Sequence, residues 1–200
     1  MTRALVMAGC GAQTEGEFAE LLKRAKAGDL AAFDQIMIRH ERPVFFVALR
    51  LLNRPEDAQD AAQEVFLRLY KNLRRFDQAR EFSPWLYRMT VNVCRDIGRR
   101  RSRHSAPSLE ALTGLEEADA GAPDPRAQAV WAQQKRIVCE ALKGLPEKQR
   151  TALVLRDLEG LSTCEVARIL GSSQATVRSQ VSTARLRIKE YVERFLRGRP

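Results

Sequence analysis

At 200 residues, with a formal net charge of +9 and 44% hydrophobic content, the chain can hold one ordinary domain or two small ones, and it favours a polyanionic partner. Its four cysteines, Cys10, Cys94, Cys139 and Cys164, show no CxxC or Cys–His spacing, which argues against a zinc site; Cys94 and Cys139 fall in helical patterns as small apolar residues. No run of eighteen apolar residues is present to insert into a membrane.

The chain starts MTRALVMAGC, with small residues before Cys10 that loosely mimic a lipoprotein cleavage site. The apolar part, Ala4 to Ala8, is shorter than a signal h-region of ~7–15 residues. Residues 1–13 therefore read as a disordered leader, and the protein as cytoplasmic. Thr14 and Glu17 then form a capping box that opens a first helix, with Phe18, Leu21 and Leu22 on its apolar side and Gly28 at its end. Asp29 caps a second helix running to about Leu52, and Pro43 inside that pattern is expected to kink or break it. Arg54-Pro55 restarts the chain, since proline suits a first helical turn.

The third predicted helix, about 55–74, contains PEDAQDAAQEVFLRLY. Ala58, Ala61, Ala62, Val65 and Leu69 make its buried side, while Asp57, Asp60, Gln63 and Glu64 share another. An acidic stripe on a basic protein does not suit DNA. It fits either a solvated face or a docking surface for a protein partner. Residues 75–82 read as a loop, and Ser83-Pro84 opens a fourth helix, SPWLYRMTVNVCRDIGRRR. Leu86, Met89, Thr90, Val93 and Ile97 face inward; Arg88, Asn92, Arg95 and Arg99 fall on one outward face suited to phosphates and base edges. Phe76, Phe82, Trp85 and Tyr87 lie beside that row, where rings can stack unpaired bases or simply pack in the core.

Charge is unevenly distributed. Residues 95–103 hold five Arg against one Asp, and residues 104–126 hold five acids and only Arg126. Residues 127–200 carry +7, from 14 basic and 7 acidic side chains. The stretch 102–126, rich in Pro, Gly and acid, reads as a flexible linker between two basic modules. Helices follow over about 127–143 and from Pro146 to 157.

Residues 161–189, LSTCEVARILGSSQATVRSQVSTARLRIK, then carry a helix-turn-helix signature. Ser162 and Glu165 form a capping box, Gly171 ends the first helix, and Ser172 or Ser173 caps the second. Val177, Val181, Ala184 and Ile188 line one buried face. Ala175, Arg178, Ser179, Ser182 and Thr183 lie opposite, small enough to enter a major groove, with an Arg able to read guanine. A helical hairpin with a solvated polar face is the blander alternative.

The order DAQDAAQEVFLRLY, FSPWLYRMTVNVCRD, a variable linker, LPEKQRTALVLRDLEGLS and SSQATVRSQVSTARLRIKE resembles a bacterial sigma factor of the sigma-70 family, extracytoplasmic-function (ECF) type, over about residues 15–195. The resemblance implies an all-α fold of two small domains: a four-helix sigma region 2 over 14–101 and a helix-turn-helix sigma region 4 over 127–197, joined by the linker. It implies a dissociable, non-enzymatic subunit that takes RNA polymerase to promoters and helps open them, with no cofactor and no metal. Asp57, Asp60, Gln63, Glu64 and Phe66 match the segment that docks on the clamp helices of the polymerase largest subunit. The loop with Phe82 and Trp85, and the Arg88, Asn92, Arg95, Arg99 face, match the region that opens the −10 element and holds its single strand. Gln174, Ala175, Arg178, Ser179, Ser182 and Thr183 match positions that meet the −35 element as duplex. The C-terminal module would also bind the polymerase flap. Gln180 and Thr183 stand where family members often carry Arg, and Thr163-Cys164 where an aromatic and an acid are common. Two modules hanging open on a linker would leave every one of these faces bare, which calls for an anti-sigma factor wedged between them. Packing of the modules on each other is the alternative.

Overall fold

The computed structural model describes residues 15–104, 133 and 137–198, and among them there is no strand. The chain runs through α1 (Glu15–Lys26), α2 (Leu30–Leu52), α3 (Pro55–Asn72) with a 3-10 turn at Leu73–Arg75, and α4 (Phe82–His104). It resumes at α5 (137–143), then α6 (Glu147–Leu153) with a π-helical turn at Val154–Leu158, α7 (Thr163–Leu170) and α8 (Gln174–Arg197). The leader, Thr14 of the first capping box and most of the predicted linker lie outside the described residues. α4 extends through residues 102–104, past the boundary at 102 where the linker is expected to begin.

Local chemistry sets the boundaries. Asp29 accepts the Ala32 N–H at 3.1 Å and is forked by Arg24 Nε and Nη2 at 2.9 and 2.6 Å. The Ala32 bond, then Arg24, holds its carboxyl below the usual range. At the other end of α2, Asn53 adopts φ 58° and donates to the Leu49 carbonyl, so Pro55 can start α3 at once. Pro43 does not break α2, which is continuous from Leu30 to Leu52. An interior proline costs about 3 kcal/mol. Val44, Val47 and Ala48, all fully buried just beyond it, offset that, at ~1.5–3 kcal/mol for each large apolar side chain.

Helices α1–α4 enclose one core, in which Ile36, Val44, Val65, Leu69, Leu86 and Val93 are almost fully buried. A second core holds Leu142, Leu145, Leu155, Val166, Val177 and Val181 from the C-terminal module. One N-terminal residue, Val91 of α4, belongs to this second core, with Leu51 and Tyr87 packed at its edge. The two modules are therefore packed together. α7 lies on α4, while α2 meets α6 and the π-helical turn.

Candidate docking and nucleic-acid interfaces

The acidic side of α3 faces a groove shared with α4, whose walls carry Asp60, Glu64 and Asp96 on one hand and Arg68 and Arg100 on the other. Asp60 and Gln63 are exposed and Glu64 half-exposed. Glu64 Oε1 accepts Arg68 Nε at 2.6 Å, and Arg68 Nη1 reaches Asp96 at 3.4 Å. The bond to Glu64 raises the Arg68 pKa, so the guanidinium stays charged. Asp57 is more engaged than its neighbours, taking Arg101 Nη1 at 2.9 Å with Arg54 Nε at 4.0 Å. Phe66, grouped with this stripe by its motif position, is only 8% exposed and lies in the N-terminal core. It sits three residues after Gln63 and one after Val65, turned into the core and away from solvent.

The aromatic loop is a packed cluster. Phe76 meets Trp85 at 4.7 Å and Phe82 at 5.6 Å between ring centroids, and Phe82 also touches Phe18 and His40. Phe82 is 6% exposed, because the first turn of α4 directs it inward, and it is not available to stack a base in this state. Trp85 is half-buried against the same core. Residues 77–81 above the cluster are exposed, with Asp77 Oδ1 accepting the Ala79 N–H at 3.0 Å.

On α4, Arg88, Asn92 and Arg99 are exposed as the spacing predicted. Arg95 differs. Only 25% of its side chain is exposed, and its Nε donates to Glu147 Oε1 at 3.3 Å across the module boundary. Beside this row runs a line of contacts that joins the two modules. Tyr87 Oη donates to Glu159 Oε2 at 2.7 Å, and Arg50 Nη1 donates to Glu159 Oε1 at 3.2 Å. Burial, then the Glu159 carboxylate, pushes the Tyr87 phenol upward, so it remains a donor. Arg150 Nη1 donates to the Leu51 carbonyl at 2.8 Å, and its Nη2 to the Leu145 carbonyl at 2.9 Å. It thereby caps the C-terminal end of α2, where the helix dipole favours a cation. One signal was legible: Tyr87 and Val91 stand four apart, off the inward face, as a second apolar stripe.

The helix-turn-helix follows its sequence closely. Ser162 Oγ accepts the Glu165 N–H at 3.2 Å and Glu165 Oε2 accepts the Ser162 N–H at 2.7 Å, closing the capping box. Gly171 takes φ 62° and ψ 41°, and Ser173 Oγ accepts the Thr176 N–H at 3.1 Å to start α8. Val177, Val181 and Ala184 are buried, with Ile188 packed at the margin. Gln174, Ala175, Arg178, Ser179 and Ser182 are exposed and Thr183 half-exposed, so the candidate groove face is open to solvent. Arg178 Nη2 donates to Gln174 Oε1 at 3.3 Å, one turn away. Arg185 forks Asp157 at 2.8 and 2.6 Å, tying α8 to the π-helical turn.

An all-α pair of modules, one ending in a capped helix-turn-helix and the other bearing an acidic helix face, defines the class as a two-module DNA-binding protein. The Sigma-70 region 2 family matches residues 36–104, and the Sigma-70 region 4 family matches residues 135–188. The chain is 35% identical over 180 residues to the ECF RNA polymerase sigma factor SigM of Mycobacterium tuberculosis, covering 90% of this chain and 87% of that protein. It is 30% identical over 189 residues to the RNA polymerase sigma-H factor of Pseudomonas aeruginosa, covering 92% and 98%. Among solved structures, it is similar to CnrH in complex with the cytosolic domain of CnrY, with a TM-score of 0.64 and 25% identity, covering 88% of this chain and 96% of that one. The fold is also that of RpoE from Bartonella quintana, with a TM-score of 0.67 and 23% identity, covering 80% and 96%. The chain belongs to the ECF sigma factors of the sigma-70 family. It is a sigma factor for RNA polymerase, an initiation factor and not an enzyme. Among the described residues no helix is long and apolar enough to cross a membrane.

Proposed function

We propose that Asp60, Gln63 and Glu64, supported by Asp57, dock this sigma factor on the clamp helices of the polymerase largest subunit. Residues 14–101 then act on the −10 element, with Arg88, Asn92, Arg95 and Arg99 holding its unpaired strand and assisting opening. Residues 127–197 read the −35 element as duplex through Gln174, Ala175, Arg178, Ser179, Ser182 and Thr183, and meet the polymerase flap. The observation that carries this reading is the pairing of an exposed acidic helix face with an exposed small-residue recognition face in one chain of net charge +9. Acid docks protein where it would repel DNA, and small side chains with one Arg admit a groove.

Control by an anti-sigma protein is the regulation we propose, supported by the likeness to CnrH, which is solved bound to the cytosolic domain of CnrY. Because the two modules touch, such a partner would have to displace their contact or wrap around it.

Run-off transcription with purified core polymerase tests the whole reading. Transcripts from a selected promoter should require this protein. Asp60→Arg with Glu64→Arg should abolish core binding while the circular dichroism spectrum stays helical. Native-strength association of that double variant with core enzyme would defeat the docking assignment.

A further inference from the structure

The groove between α3 and α4 is cross-braced. Arg68 of α3 reaches over it to Asp96 of α4, Nη1 to Oδ2 at 3.4 Å, and Arg101 of α4 reaches back to Asp57 of α3 at 2.9 Å. Arg101 also donates to the Leu52 carbonyl at 3.5 Å, at the corner where α2 gives way to α3. The apolar core beneath, with Val65 and Leu69 of α3 and Leu86 and Val93 of α4, draws the helices together without favouring one direction. Bonds between guanidinium and carboxylate are directional, so the two braces fix the register of α4 on α3.

The charge of Asp96 is at odds with its position. It stands four residues after Asn92 and three before Arg99, beside the face proposed to hold the −10 strand. Its side chain is 42% exposed, and a carboxylate there repels phosphate. The ordinary partner of a helical Asp is a cation four residues on, and Arg100 is present at that position, lining the same groove. Asp96 instead takes Arg68 from the other helix, the residue whose Nε holds Glu64 at 2.6 Å. A planar fork can serve both carboxylates in this way, whereas a lysine ammonium is a single point of charge. One guanidinium thereby joins a carboxylate of the docking stripe to α4.

We propose that Asp96 is a positioning residue for promoter opening, which through Arg68 locks α4 in register with the α3 face seated on polymerase. The proposal rests on the readings of α3 as the docking face and α4 as the −10 face, and it adds Asp96 to neither contact surface. Opening requires the captured strand to be held at a fixed place relative to the enzyme that grips the duplex. α3 supplies the anchor, α4 supplies the strand-binding face, and the Glu64–Arg68–Asp96 bridge makes them move as one. The sign of the effect is diagnostic. Neutralising Asp96 removes a repulsion toward DNA, yet it impairs opening.

The test uses holoenzyme carrying Asp96→Asn, the conservative Asp96→Glu, or Arg68→Lys, which keeps the charge and loses the fork. Three measurements are made: core binding, permanganate reactivity of a duplex promoter, and run-off transcription from a template whose −10 element is already unpaired. Asp96→Asn is expected to bind core as wild type does and to open the duplex ~5–10-fold less, while transcribing the unpaired template at close to the wild-type rate. Arg68→Lys should show the same opening defect, and Asp96→Glu should retain most of the opening. Normal or increased permanganate reactivity in Asp96→Asn or Arg68→Lys would overturn the brace. The −10 assignment falls with it only if Arg95→Ala with Arg99→Ala also opens normally. Weakened core binding by Asp96→Asn would make Asp96 a docking contact, and a defect that persists on the unpaired template would make it a strand contact; either overturns the positioning role. If Asp96→Asn melts at a lower temperature than wild type, Arg68→Lys against Asp96→Glu decides by the same criteria.

Discussion

Arg178 is the long basic side chain on the open face of α8 near its start, and Gln174 steadies it from one turn below. If it reads a base edge, Arg178→Ala should cost ~1–3 kcal/mol and relax preference at one −35 position. If it touches phosphate, affinity should drop evenly across sequences and the salt slope should shrink by about one unit. Selection of −35 sequences with wild type and variant separates these outcomes, and no change in either would refute the placement of the helix. His40 gives a second prediction. It is set among Phe18 and Phe82, and its Nε2 is buried without a hydrogen-bond partner. Burial, then Arg39, lowers its pKa from 6.5 to about 4. The unfolded chain therefore takes up a proton near pH 6.5 that the folded chain refuses until about pH 4. Stability must fall as pH drops through that window, by about 1–3 kcal/mol, and be insensitive to this group above it. His40→Phe should lose that share of the acid sensitivity, as measured by denaturant midpoints of both proteins at pH 7 and pH 5.

At the scale of elements, the turn of the helix-turn-helix depends on one backbone conformation. Gly171 lies at φ 62°, and nothing stands within 4 Å of where a Cβ would be. Gly171→Ala should then cost only the left-handed strain, ~1–2 kcal/mol, with an unchanged denaturant slope. A larger loss would mean that the turn contacts something more. α4 makes a functional prediction. Holoenzyme carrying Arg95→Ala and Arg99→Ala should find a promoter by its −35 element and open it poorly. Permanganate reactivity of unpaired thymines checks this directly, and normal reactivity would assign the face to another task. Element boundaries were well legible because caps are local chemistry: Asp29, Pro55, Ser162, Gly171 and Ser173 all act within four residues of themselves. Pro43 does not break α2 because its cost is local whereas the burial that offsets it comes from neighbouring helices.

For the whole molecule, the sequence allowed two arrangements of the modules, held apart on a linker or packed on each other. Periodicity determined that the described chain would be helical, which stripe of each helix would face its own module's core, and where the acidic and basic faces would lie, because each depends on spacing along a single helix. Asp60, Gln63, Arg88, Asn92, Arg99, Arg178 and Ser179 all emerged on the surface for that reason. The fate of Arg95, Val91 and Tyr87 could not be read in this way. Their partners, Glu147 and Glu159, lie 52 and 72 residues away from Arg95 and Tyr87. Pairing at such separations is set by how two completed cores fit together, and a solvated face and a covered one have the same helical spacing. Phe66 and Phe82 went inward for a related reason. A motif gives a residue its position along the chain, while the packing of four helices decides which side of it meets water.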